Sequence, residues 1–279
     1  MLPFLLVFFT FTVWPVVMSM GLSFTTYNVF EAPRFLGFEN YVKLFFNDSV
    51  FLTAMQNTFL LSIIVGPLSY LLSLFLAWMV NEFRNPWRTI LTVVFYAPTL
   101  SNAVFTIWLI VFDGDIYGYL NSILLKMGLI SDPIQWTRDP KYMMMVVIIV
   151  QLWVSLGTSF LTLRAGFNTV DRQYYEAGSL DGIKNRWQEL WYVTLPMMKP
   201  QLLFGAVMSI TSAFSIHEVT VALAGFPSTE YAAHTMVNHM WDYGYQRFEM
   251  GYASAIAAVL FLMMLVCRKL INLLLERVG

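Results

Sequence analysis

Six apolar runs, at about 2–24, 57–80, 89–112, 142–164, 201–224 and 250–272, set the terms on which this chain can fold. Each matches the roughly twenty helical residues needed to cross about 30 Å of hydrocarbon. They are continuous rather than alternating, so they predict helices and not the ten-residue alternating strands of a membrane barrel. With 58% hydrophobic and 12% charged side chains in 279 residues, the chain lies outside the range of soluble domains. The expectation is an all-α membrane protein, a single transmembrane domain over residues 1–279 with six spans. A net charge of -1 gives no general attraction to nucleic acid. The lone Cys267 excludes an internal disulfide and a cysteine metal cluster.

Basic residues orient the spans. With the N-terminus inside, the cytoplasmic side holds Arg84, Arg88, Arg164, Arg172, Lys184, Arg186, Lys199, Arg268, Lys269 and Arg277, ten in all, against six (Arg34, Lys43, Lys126, Arg138, Lys141 and Arg247) outside. Both termini are therefore expected in the cytoplasm. The first run has no basic start and no small-residue cleavage site, so it reads as a retained span and not a secretion signal.

The longest polar interruption on the cytoplasmic side, residues 165–200, contains Asp171 to Pro200, DRQYYEAGSLDGIKNRWQELWYVTLPMMKP. Asp171 can cap a helix, Glu176 lies early in it where the dipole favours negative charge, and Gly182 offers a left-handed exit. A second helical stretch, roughly 185–193, places Trp187, Leu190 and Trp191 on one face, and Pro196 and Pro200 are expected to end it. By periodicity alone, such helices could simply rest on lipid headgroups.

The order Glu176-Ala177-Gly178, Asp181-Gly182 and Val193-x-Leu195-Pro196 resembles the EAA loop of permease subunits of ATP-binding-cassette importers. Gly178 stands where the family has a third-position Ala, and Val193 where it has Ile. The resemblance extends to Gly37-Phe38-Glu39-Asn40-Tyr41 after the first span, to Gly118-Tyr119-Leu120-Asn121 and Asp132-Pro133-Ile134-Gln135-Trp136 in the outer loop from Asp113 to Lys141, and to Gly251-Tyr252-Ala253-Ser254-Ala255 opening the last span. These segments resemble sugar-type permeases of the maltose and glycerol-phosphate branch, the first permease of a type I importer. Members usually carry a basic segment before the first helix, which leaves room for one ahead of Met1.

That resemblance implies a type I importer permease fold in a bacterial or archaeal plasma membrane. It implies a second, related permease, an ATPase dimer carrying ATP and Mg, an extracytoplasmic solute-binding protein and a carbohydrate substrate. It also implies that Tyr174, Tyr175, Glu176, Ala177, Gly178, Asp181 and Gly182 form the coupling helix that docks on the ATPase. No Gly-rich phosphate loop occurs in the chain, so no enzymatic activity is expected of it and no cofactor is assigned to it.

Polar residues inside the runs are candidates for a substrate path. Gln151, Ser155, Thr158 or Ser159, and Thr162 recur at helical spacing, with Trp153 as a stacking surface; interhelical hydrogen bonds are the plainer role for such a stripe. In the fifth run Ser209 and Ser212 fall on one side and Ser215 and Glu218 on another, with His217 between. An ionisable pair such as His217-Glu218 is costly in hydrocarbon and marks function by default, although near the outer end it could reach water. Asn102 follows Pro98, where a kink is expected; Gly66-Pro67 suggests another in the second span. His234 and His239 lie five apart with no third ligand at metal spacing. Competing readings are a permease for amino acids, phosphate or metal, a proton-driven carrier, and a membrane-embedded enzyme using His217 and Glu218.

Overall fold

The computed structural model describes residues 2–101 and 103–278, leaving aside the side chains of Thr158 and of residues 271–278. Four helices are long and apolar enough to cross a membrane: α1 (Leu2–Leu22), α2 (Ser49–Glu82), α5 (Pro140–Phe167) and α11 (Met250–Val278). Two bent pairs supply the third apolar run and the first part of the fifth. Trp87–Leu100 (α3) meets Val104–Val111 (α4) at 86°, and Arg186–Met197 (α7) meets Lys199–Phe214 (α8) at 82°. Between α5 and α7 lies α6 (Arg172–Leu180), and beyond α8 come α9 (Glu218–Ala224) and α10 (Met236–Trp241).

Side-chain oxygens set five of the helix starts. Asp48 accepts from Phe51 N, Asp139 from Lys141 N, Asp171 from Gln173 N, Asn185 from Gln188 N and Thr235 from Asn238 N, opening α2, α5, α6, α7 and α10. The expected break at Pro98 is present: α-geometry stops at Tyr96 and a 3-10 turn covers Ala97–Leu100. Gly66-Pro67 behaves differently, since α2 runs through Pro67 unbroken. Gly66 instead admits α8: a Cβ there would lie 3.3 Å from Ile210 Cγ1. At 34 residues, α2 is about 51 Å long. It therefore outreaches the hydrocarbon and serves as the central post.

Three apolar clusters hang on that post. Leu61 and Val65 pack with Phe105, Phe112, Trp136 and Val147; Phe51 and Ala54 with Phe214, Met236 and Ile256; Ala77 and Val80 with Phe160, Leu163 and Met198. Between helices in lipid, water exclusion gives no net drive, so close contact and hydrogen bonding must do the holding. Gly157 illustrates the first: a side chain there would collide with Thr99 and press on Phe95 O. Gly251 is tighter still, for a Cβ would run into the Thr25 carbonyl. By contrast α1 buries none of its residues and leaves Phe4, Leu6, Phe11 and Trp14 bare, a surface compatible only with lipid or another protein.

The segments opposite the α6–α7 loop are ordered by single polar hubs. Residues Thr25–Thr26 pair antiparallel with Arg34–Phe35, a two-residue exception to the all-helical expectation. Asn40 Nδ2 donates to Ser23 O and Thr25 O at 2.8 and 3.0 Å. Asn121, on the short helix Tyr119–Lys126, is fully buried and donates to the carbonyls of Asp113, Asp115 and Ile134 while accepting from Ile134 N and Trp136 Nε1. Replacing it with Ala strands several buried groups at once, at about 2–4 kcal/mol in total. Asn121→Ala is thus expected to lower the thermal midpoint of the detergent-solubilised protein and to expose residues 113–139 to protease; an unchanged digestion pattern would contradict the hub role.

Candidate functional site

A cavity of about 360 Å³ opens between α5, α8 and the bent α3–α4 pair. Five of the polar positions singled out from the sequence line it: Gln151, Ser155, Ser159, Ser209 and Ser212. Glu218, at the start of α9, makes a sixth, and Thr162 continues the α5 stripe. Pro98, Thr99 and Ser101 form the facing wall, so the helix break contributes its loosened end directly to the cavity. Asn102 lies outside the described residues, as does the side chain of Thr158.

Several of these hydroxyls are already engaged. Ser155 Oγ donates to Leu152 O at 2.9 Å, and the Ser159 and Ser209 hydroxyls meet at 3.0 Å, joining α5 to α8. Those bonds are the interhelical and back-bonding uses expected of polar groups in apolar surroundings. The Gln151 amide, the Ser212 hydroxyl and the Glu218 carboxylate hold no partner among the described residues.

Three expected contributors lie elsewhere. Trp153 sits edge-on to Trp108, ring centroids 5.4 Å apart. Ser215 Oγ donates to Thr211 O at 3.2 Å. His217 turns away from the cavity to Asn238, Nδ1 to Oδ1 2.7 Å. The reason is a break that the sequence does not announce with Pro or Gly. The run 201–224 is two helices, α8 ending at Phe214 and α9 starting at Glu218, with His217 at φ -142 and ψ -55 between them. The Ile216 carbonyl freed there is taken up by Thr235 Oγ1 at 2.9 Å, and His217 O accepts from Val221 N–H and from Thr220 Oγ1 at 2.7 Å. Asn238 Nδ2 donates to Thr220 Oγ1 at 2.9 Å and ties the junction to α10. His217 therefore fixes the break, and the break brings Glu218 to the cavity mouth.

The α6–α7 loop is the second site. Gly182, at φ +94, ends α6 in a Schellman turn in which Ile183 N–H donates to Gly178 O at 3.0 Å and Gly182 N–H to Ser179 O at 3.4 Å. Glu176 stands mid-helix rather than in its first turn and pairs with Arg172 at 3.3 Å, so an i,i+4 ion pair replaces the expected dipole contact. Tyr175 and Gly178 face inward. Tyr175 OH and Thr194 Oγ1 are 3.0 Å apart, and a Cβ on Gly178 would lie 2.9 Å from Ile183 Cδ1. Tyr174, Glu176, Ala177, Asp181 and Gly182 face outward, beside Leu180, which is 89% exposed and which the motif alone does not single out.

Pro196 does not end the second helix. It occupies the first turn of a renewed α-segment after a π-turn over Leu190–Thr194, where its missing N–H costs nothing, and α7 runs on to Met197. Of the expected apolar face, Leu190 is buried, Trp187 packs on Trp78 of α2 at 4.8 Å, and Trp191 stays exposed. Arg186 reaches Glu82 at 3.2 Å. The loop is thereby fastened to the end of the central post.

Comparison with known proteins places this geometry. Residues 69–278 match the family model described as binding-protein-dependent transport system inner membrane component. The chain is 32% identical over 283 residues to the probable ABC transporter permease protein YesP of Bacillus subtilis, covering 99% of this chain and 88% of that protein. It is 30% identical to the arabinooligosaccharides transport system permease protein AraP of the same organism, over 95% and 83%. Its fold is similar, with a TM-score of 0.79 at 23% identity and coverage of 100% and 94%, to a chain of a bacterial ABC transporter involved in the import of the acidic polysaccharide alginate.

Proposed function

Since this chain belongs to the family of binding-protein-dependent transport system inner membrane components, we propose that it lines half of the translocation path of an ATP-driven carbohydrate importer. It is an ABC permease subunit, and in these importers the ATPase is a separate subunit. The observation that carries the path assignment is the convergence of the free Gln151, Ser212 and Glu218 groups on one cavity at two helix breaks. Irregular backbone at membrane depth is tolerated where it lines a cavity, and amide, hydroxyl and carboxylate groups together can accept from and donate to the many hydroxyls of a saccharide. The name of the AraP relative adds the substrate class.

In this reading the α3–α4 pair counts as one bent span and the α8–α9 run as another, with α7 lying in the cytoplasmic loop, giving six spans with both termini in the cytoplasm. The outward residues of α6, Tyr174, Glu176, Ala177, Asp181 and Gly182, meet the ATPase, and Tyr175 and Gly178 hold the loop's shape. ATP and Mg belong to that ATPase dimer, a second permease completes the path, and an extracytoplasmic binding protein delivers the sugar. Because α7 is fastened to α2 through Arg186–Glu82 and Trp187–Trp78, a push on the loop is passed to the helix from which all three apolar clusters hang. Closure of the ATPase dimer would then reshape the cavity.

The test is purification from the native membrane in mild detergent, with mass spectrometry of what accompanies the chain and reconstitution of the assembly. A second EAA-loop permease, an ATPase and ATP-dependent sugar uptake are expected. Recovery of the chain without an ATPase would overturn the reading.

A further inference from the structure

The cavity between α5, α8 and α3–α4 has a charge signature. Among its described lining residues, Glu218 is the one ionisable side chain, and no Lys, Arg or His joins it. Glu218 is exposed to the cavity and makes no ion pair or hydrogen bond among the described residues. The cationic candidates nearby in the chain are directed elsewhere: His217 is held by Asn238 at 2.7 Å and tilts against Trp241, and Arg164, on α5 beyond Thr162, is not part of the lining. The rest of the wall is hydroxyl, amide and apolar, including Phe105, Val154 and Met208.

Resting on the importer reading, we infer that this half of the path admits uncharged saccharides and rejects anionic ones, and that Glu218 is the residue that sets this preference. A uronate, a sulfonate or a phosphate group needs a guanidinium or ammonium partner when it leaves bulk water, and this wall offers none. It offers instead a fixed carboxylate, whose repulsion is felt more strongly in a narrow, low-dielectric passage than in water. For a neutral saccharide the same carboxylate is an acceptor for two or more hydroxyls, while Gln151 both donates and accepts. Phosphate is disfavoured on the same ground, because its charge would face Glu218 without a cation.

The experiment has two arms on the complete importer in liposomes. In the first, ATP-driven uptake of a neutral xylo-oligosaccharide and of a galacturonate oligomer of equal length is compared. In the second, Ser212→Cys, alone and combined with Glu218→Gln, is titrated with a cationic and an anionic methanethiosulfonate reagent, each rate normalised to a free thiol. Ser212 faces the cavity without a hydrogen bond among the described residues, so the Cys replacement is close to isosteric and disturbs no contact. Expected are uptake of the neutral oligomer alone, a preference of roughly tenfold or more for the cationic reagent, and loss of that preference with Glu218→Gln. Uptake of the galacturonate oligomer, or equal reagent rates with Glu218 in place, would overturn the charge inference and leave the importer reading standing. Failure of every saccharide to be transported would overturn both.

Discussion

Gly182→Val is expected to reduce ATP-driven uptake by the assembled importer by roughly tenfold or more while the protein still inserts and folds. The residue sits at φ +94, where a β-branched side chain is strained by about 1–3 kcal/mol, although nothing lies within 4 Å of where its Cβ would be. The damage is therefore conformational and local. Losing the Schellman turn releases Ile183 from its bond to Gly178 O and lets α6 swing relative to α7. Every 1.4 kcal/mol of strain lowers the ratio of native to displaced turn about tenfold, and only the native turn presents Tyr174, Glu176 and Leu180 together. Gly182→Ala, with less strain, should fall between wild type and the Val variant. The measurement is sugar-stimulated ATP hydrolysis beside a count of ATPase copies retained on purification. Normal stimulation in the Val variant would remove the coupling role from this turn.

The legibility of this loop has a physical basis. Asp171 and Gly182 act on groups within a few residues of themselves, so capping and exit could be read from spacing. Pro98 is equally local, since it breaks its own helix. The polar stripe of α5 was legible because helical period alone puts Gln151, Ser155, Ser159 and Thr162 on one side, and the cavity lies there. What could not be read depends on distant partners. The break at Ser215–His217 has no Pro or Gly; it persists because Thr235 and Asn238, about twenty residues on, satisfy the freed groups. Pro67 and Pro196 mislead for the reverse reason. Their local meaning is a kink or a stop, yet α2 continues as helix through Pro67, and Pro196 falls in a first turn where the lost donor has no role.

The cluster around Asp48 was the least legible feature, for its members are some two hundred residues apart. Asp48 Oδ2 accepts from His239 Nε2 at 2.9 Å and from Tyr252 OH at 2.8 Å, while its other oxygen caps α2. Three elements, α2, α10 and α11, are thereby closed on one carboxylate. With His239 Nε2–H committed to Asp48, its Nδ1 is free to accept, and His234 Nε2, 3.3 Å away, is the donor. His234 Nδ1 is then a bare nitrogen, buried and unpaired beside the rings of Phe226 and Tyr231. Neutral His234 suits this place and protonated His234 does not. The relay explains why two histidines can be buried without a metal.

A pH dependence follows, with two separate windows. Burial, reinforced by the nearby His239, pushes His234 down from 6.5 to about 4. A histidine lowered in the folded state contributes stability that is complete above its unfolded value and is lost as pH falls from about 6.5 towards 4. At pH 5 the loss is about 2 kcal/mol. Burial would raise Asp48, but the bonds from His239, Phe51 N and Tyr252 outweigh it and hold the carboxyl well below the usual range. Its contribution is intact above about pH 4 and vanishes only in stronger acid, so the Asp48 window does not overlap the His234 one. The thermal midpoint of the detergent-solubilised protein is therefore expected to drop by several degrees between pH 7.5 and 5. In His234→Gln, whose amide can still donate to His239 without titrating, that slope should disappear while stability at pH 7.5 changes little. Equal pH slopes in the two proteins would show that the acid sensitivity lies elsewhere, and that His234 is held in this pocket for its ring alone.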